Sequence, residues 1–202
     1  MQQGWVCRFF QRISPAIPER IWRKLFLFSL KLRRNVMKKA RKQLELIAAF
    51  LGEETTLSLA TSGEDGQACV APLFYIADEE LSLYWFSSES SQHSMNLART
   101  PRAAAAIYRS VESWKKICGV QLRGAVSKVT EPERRATLVK SYCERFKLGR
   151  VPRLVLGHST LYCLQPDFFR SIDNARGFGF KFELTRGPEG WSLTRDPSAS
   201  SR

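Results

Sequence analysis

The sequence predicts a mainly β chain of the α+β kind: an antiparallel barrel, closed or partly open, with a few peripheral helices. Three observations carry this. From residue 53 onward, short runs rich in β-branched and aromatic residues alternate with turn compositions. Helical periodicity is confined to a few stretches. Strands and helices never alternate in the βαβ order of a parallel sheet. At 202 residues the chain suffices for one domain with a real core plus an appendage.

The first segment, GWVCRFFQRISPAIPERIWRKLFLFSLKLRRNVMKKARK, mixes basic residues with aromatics and large aliphatics, and Pro15 and Pro18 divide it. A helix is expected after Pro18. Residues 1–42 hold 12 Lys and Arg against Glu19 alone, a net +11, whereas residues 43–202 hold 20 against 18, a net +2. The overall +13 therefore belongs to a basic amphipathic N-terminal extension, 1–42, on a nearly neutral body. The apolar run from Leu25 to Leu30 is far short of the roughly 20 residues that span a bilayer, and no secretory-signal pattern surrounds it. Three readings stay open: a helix lying among anionic lipid headgroups, a helix packed on the body or a poorly ordered extension, and an organelle transit peptide. Nucleic acid is disfavoured, because the neutral body continues no basic groove. The expected location is the cytoplasm, with the extension as the route to a membrane surface.

Next, RKQLELIAAFLGEE places Leu44, Ile47, Ala48 and Leu51 at helical spacing, with Gly52 set to end the helix. TTLSLATSGEDGQACVAPLFYIADEELSLYWFS reads as three strands in an antiparallel meander, separated by SGEDG and a solvated turn at Asp78, Glu79 and Glu80. A knot of serines, SSESS, leads into a short helix, 92–99, which TP ends before the strand RAAAAIYR. KICGVQLRGAVSKVT is a long strand with Gly119 and Gly124 as points of bulge or close approach. EPERRATLVKSYCERF is a helix with Pro132 in its first turn, and a second helical piece is expected up to about Leu156. STLYCLQP, FFRSIDN and FGFKFELTR return to strands, GPEG turns into WSLTR, and a disordered tail, 196–202, closes the chain.

Five cysteines, Cys7, Cys69, Cys118, Cys143 and Cys163, show no C-x-x-C pair, which points to a reducing compartment and buried thiols. With only His93 and His158 besides, no metal-ligand spacing can be drawn, so no metal is expected. The serine knot itself has two readings. Its hydroxyls cap the following helix, or they floor an anion site beside that helix's free N–H groups.

The order helix, LSLAT, turn, PLFY, LYWFSS, H..NL..TPRAA, GVQLRG resembles the FMN-binding split-barrel superfamily of pyridoxamine 5'-phosphate oxidase-like proteins, over about residues 43–185. The stretch IDNARGFGFKFEL resembles a small, poorly characterised bacterial branch of it. The resemblance implies an antiparallel split β-barrel over 43–195, a homodimer, and FMN at the subunit interface. The junction that cradles the flavin phosphate, Y-T-x-x-x-S-R-K, matches Phe86 and Ser87 at Y-T, Ser91 at the serine, and Gln92 and His93 at the two cations. The family's earlier phosphate-binding Arg and Lys fall near Cys69 and near Phe74 or Tyr75, which are uncharged. Charge-assisted bonds of roughly 1.5–3 kcal/mol each are thus missing. In their place the resemblance leaves Ser87, Ser88, Ser91, Gln92 and His93, with protonated His93 supplying charge below about pH 6 to 7. The remaining candidates for the cofactor site are Pro72, Leu73 and Phe74 on the earlier strand, Trp114 as a stacking face, and Gln121 on the strand that reaches flavin from the second subunit. Arg176 and Lys181 are candidate replacements for the lost cations.

The leading functional reading is an FMN-dependent oxidoreductase acting on an unidentified small molecule, without pyridoxamine-phosphate oxidase activity itself. The alternative is a non-catalytic ligand-binding dimer tethered at a membrane surface. A third reading puts another planar cofactor, haem or a deazaflavin, in the same cleft.

Overall fold

The structure is a computed structural model that describes residues 19–149 and 156–195. The break at Pro15 and Pro18, the tail 196–202 and most of the helical piece before Leu156 lie outside the described residues. The first element, α1 (Glu19–Glu53), is one helix of 35 residues where the sequence suggests two pieces. No Pro or Gly interrupts it before Gly52, and Leu, Ala, Lys and Arg fill most of it. The expected boundary at residue 42 therefore falls inside a continuous helix. Ala40, Ile47 and Leu51 are buried, with Leu44 packed beside them, so the C-terminal half is fastened to the body, chiefly to the last strand.

Nine strands follow: β1 (Thr56–Ser62), β2 (Ala68–Phe74), β3 (Ile76–Ala77), β4 (Leu83–Ser87), β5 (Arg102–Tyr108), β6 (Cys118–Lys128), β7 (Thr160–Asp173), β8 (Lys181–Gly187) and β9 (Gly190–Arg195). The helices α2 (Gln92–Arg99) and α3 (Pro132–Arg145) flank them. The sheet order is β2-β1-β5-β6-β7-β4-β3, with β8 added to β7 and β9 to β8, and every pairing is antiparallel. Alternation sets the curl of this half-barrel. Leu57 and Leu59 of β1, Ala103, Ala105 and Ile107 of β5, and Val120, Leu122 and Val126 of β6 face one core with Trp85, Leu164, Phe169 and Leu184. A smaller core under α3 gathers Ile76, Tyr84, Tyr142, Leu161 and Cys163.

The expected three-strand meander is broken. β2 pairs with β1, whereas β4 leaves it and pairs with β7. Tyr75 makes the break: fully buried, it donates its N–H to the Thr55 carbonyl (3.1 Å) and its hydroxyl to the Leu51 carbonyl (2.9 Å). Burial raises its phenol pKa well above the ordinary range. Nor is the turn at Asp78 merely solvated. Its carboxylate accepts from the N–H groups of Glu80 (3.0 Å) and Ser82 (2.8 Å) and from the Tyr84 hydroxyl (2.6 Å), tying the turn to the smaller core.

STLYCLQP and FFRSIDN join into the single 14-residue β7. Pro166 lies opposite Gly124, where the register shifts, and a Cβ on Gly124 would stand 1.9 Å from the Gln165 carbonyl oxygen. The strand tolerates its proline because a residue without a side chain lets the two backbones close there.

Candidate functional site

β4 carries the site to the split. Trp85 enters the main core and Phe86 the smaller one, edge-on to Tyr142 at 5.0 Å and under the Arg135 guanidinium at 5.6 Å. Alternation then returns Ser87 to the side of the split. Its Oγ lies 2.7 Å from His93 Nε2 and 3.1 Å from Ser91 Oγ, and Ser91 Oγ lies 3.2 Å from the same imidazole nitrogen. The structure thus brings Ser87, Ser91 and His93 together and leaves Phe86 out.

Capping does not explain the serines. Ser91 stands at the N-cap of α2 but makes no side-chain cap bond. Its Oγ lies 2.8 Å from both the Ser88 carbonyl and Ser94 Oγ. A hydroxyl has one proton, so when it donates to Ser88 it accepts from Ser94. Ser88 Oγ pairs with Ser90 Oγ at 2.7 Å and accepts from the Ser90 N–H. The N-cap side chain therefore leaves the first-turn amides of α2, which no helix can satisfy internally, without a cap bond.

The junction is electrically neutral. Burial lowers the His93 pKa below its ordinary 6.5, so the ring is uncharged at pH 7. Lys128 reaches the rim, but its ammonium is bound to Glu89, whose other partner is the Thr160 hydroxyl (3.0 Å). That Lys128 bond, with the Thr160 bond behind it, holds the Glu89 carboxyl below the usual carboxylate range. The Ser87–His93 contact has the reach of a nucleophile and base. Among the described residues no carboxylate or carbonyl is placed to orient the imidazole.

Two residues unforeseen from sequence fix the helix. Asn96, buried, donates to Thr61 Oγ1 (3.0 Å) and accepts from Gln92 Nε2 (3.0 Å), docking α2 on β1. The available signal is a polar residue beside Leu97 on the inner face of a short helix. Gln92 is committed to this contact and exposed.

The other candidates are dispersed. Pro72 is exposed on β2, Leu73 leans on the main core, and Phe74 is exposed and tilted against Phe146 at 5.0 Å. Gln121 lies on the outer face of β6 and accepts a long bond from Arg170 (3.4 Å). Trp114 and Phe178 meet edge to face at 5.4 Å, both exposed, beside Arg176, whose guanidinium lies over Phe180 at 4.0 Å. Lys181 pairs with Ile172, whereas Ser87 pairs with Thr160. Twelve residues of β7 separate these positions, so within one chain Lys181 stands at the opposite end of that strand from the serines, with Arg176 in the turn before it. Near them a cavity of about 340 Å³ opens between Leu46 and Phe50 of α1 and Cys118, Asp173, Arg176 and Phe182.

A split antiparallel half-barrel, with a strand-to-helix junction at the split, is matched over residues 44–156 by the family model for pyridoxamine 5'-phosphate oxidase, which is more than half of the chain. The chain belongs to the pyridoxamine 5'-phosphate oxidase family. A family relative from Photorhabdus laumondii, a UPF0306 protein, is 26% identical over 143 residues, covering 70% of this chain and 95% of its own. Among solved structures, a conserved hypothetical protein from Mycobacterium tuberculosis superposes with a TM-score of 0.58 at 23% identity, covering 65% of this chain and 85% of that one. A heme binding protein from Mycobacterium smegmatis gives 0.53 at 18%, covering 68% and 56%. An F420 reductase gives 0.50 at 19%, covering 60% and 93%. These structures share the fold of the pyridoxamine 5'-phosphate oxidase family.

Proposed function

We propose that the chain forms a homodimer that binds FMN at the subunit interface and serves as an oxidoreductase for a small molecule, with the phosphate held at Ser87, Ser88 and Ser91. The observation that carries this reading is the uncapped start of α2. Ser91 occupies the N-cap, yet its hydroxyl is turned to Ser88 and Ser94, which leaves first-turn amides and the helix dipole for an anion. Uncharged amide and hydroxyl donors fit a phosphate, though without the affinity that paired guanidinium groups bring. Bound FMN supplies the electron-transfer chemistry. The chain's own part is to fix the phosphate, to orient the ring and to keep water from the split. Uncharged Gln92 and His93 at the two cationic positions of the family motif speak against pyridoxamine-phosphate oxidase activity.

A partner chain is the route by which Trp114, Gln121, Arg176 and Lys181 reach the junction. The outer sheet face supports one. Ser58, Ala60, Ala104 and Ala106 form a contiguous block of small residues across β1 and β5, rimmed by exposed Val70, Phe74 and Tyr108, and such a face admits close approach of a second copy.

The test is parallel titration of purified protein with FMN and with riboflavin, read by flavin fluorescence and absorbance. Micromolar or tighter FMN binding, at least about tenfold tighter than riboflavin, supports the reading. Equal affinities or no binding overturn it in favour of the non-catalytic binder. A second reading, haem or a deazaflavin in the same cleft, draws support from the uncharged imidazole of His93 and from the heme binding and F420 reductase neighbours. A Soret band on haem addition, with no flavin bound, would favour it.

A further inference from the structure

We propose that α1 docks the protein on an anionic lipid bilayer, independently of what the split binds. The helix has two unlike halves. From Ala40 onward its apolar positions, Ala40, Leu44, Ile47 and Leu51, are covered by the body. Between Lys24 and Lys39 every described side chain is exposed, Leu27, Phe28 and Met37 among them. Yet the pattern does not stop where the packing stops. In the sequence, Trp22, Leu25, Ser29, Leu32 and Val36 extend the spacing of Ala40, Leu44, Ile47 and Leu51 backwards in steps of three and four. In the sequence the amphipathic pattern therefore continues N-terminal to Ala40.

Charge selects the occupant. Residues 20–42 contain ten Lys and Arg and neither Asp nor Glu. A second copy of this helix would set ten like charges against ten, with no acid to pair them as coiled-coil flanks require. Nucleic acid would answer the charge and leave Phe28 and Met37, exposed at the flanks of that stripe, without an apolar partner. A bilayer with anionic headgroups answers both: apolar side chains enter the acyl boundary, while Lys and Arg stems carry their charges back to the phosphates. No helix among the described residues is long and apolar enough to cross a membrane, so docking is along the surface.

The experiment is co-sedimentation of the full-length protein with phosphatidylcholine vesicles, with and without about one-third phosphatidylglycerol, at about 0.05 and 0.5 M salt. Binding is expected only to the anionic vesicles and is expected to weaken at the higher salt. The variant Lys24→Gln/Lys31→Gln/Lys38→Gln should lose partitioning, by up to about fivefold per charge removed. Phe28→Glu should also lose binding. Both variants alter exposed side chains, so their melting temperatures should match the parent and exclude misfolding as the cause. Equal binding to neutral vesicles overturns the proposal. So does release of vesicle-bound protein by stoichiometric RNA, or an effect of Phe28→Glu on self-association with lipid binding intact.

Discussion

The two ends of β7 are built from opposite chemistry. At Thr160 stands a half-buried, uncharged cluster in which Ser87, Ser91 and His93 satisfy one another beside the first turn of α2. At Ile172 and Asp173 stand exposed aromatics and cations, Trp114, Phe178 and Arg176, with Lys181 alongside. One end offers donors without an unpaired cation, and the other offers cations and ring faces without a cradle. A phosphorylated planar ligand calls for both sets. Within one chain β7 runs from one set to the other, and that separation is the ground on which a two-chain site is proposed.

The strongest way to break this comparison is to disturb what holds the ends at their separation. Gly124→Ala puts a methyl group against the Gln165 carbonyl and is expected to destabilise the fold by about 3 kcal/mol, a fall in Tm on the order of 10 °C by calorimetry. An unchanged Tm would mean that the β6–β7 bend yields freely. Next in size, Ser87→Ala/Ser91→Ala should weaken FMN binding by about tenfold per hydroxyl lost while leaving riboflavin affinity unaltered. Arg176→Gln/Lys181→Gln should weaken it from the other end. Mixing and refolding the two double variants sharpens the point, because about one site in four then combines intact halves from different chains. No recovery of tight sites in the mixture would exclude a shared site.

A smaller effect follows from His93. Its folded pKa is depressed by burial, so the unfolded chain takes up this proton first as pH falls. The native state consequently loses stability on acidification from just above pH 6.5 down through the depressed folded value, and above that window the contribution is flat. The parent should lose Tm over this window by more than His93→Gln does, and parallel profiles would count against the burial. If the imidazole also faces the phosphate, FMN affinity should rise only within the same acidic window. Trp114→Ala should have the least effect on stability, within about 0.5 kcal/mol, because the ring is half exposed. It should nevertheless remove the tryptophan quenching that accompanies flavin binding, and a large loss of stability would make Trp114 a packing residue.

Much of the fold is legible along the chain because its signals are local. Leu57 and Leu59 alternate, Pro101 follows the helix that ends at Arg99, and Pro132 opens α3. Where the sequence misleads, a local signal meets a distant partner. The fall in charge at residue 42 lies inside α1, because charge does not interrupt a helix that has no Pro and no Gly before Gly52. Pro166 suggests a strand break, yet Gly124, on another strand, absorbs it. The same holds at the site. The serine knot and His93 stand out because they are neighbours in the sequence, whereas Asn96 and Thr61 are 35 residues apart and neither announces the other. The meander fails for a similar reason, since nothing near Tyr75 in the sequence reveals that its hydroxyl is bound to Leu51.

That bond gives the long helix a mechanical meaning. Tyr75 marks the point where two strands part company, and it is fastened to the last turn of a rod about 52 Å long. The course of the chain between β2 and β4 is thereby pinned to the C-terminal end of α1 as well as to strand pairing.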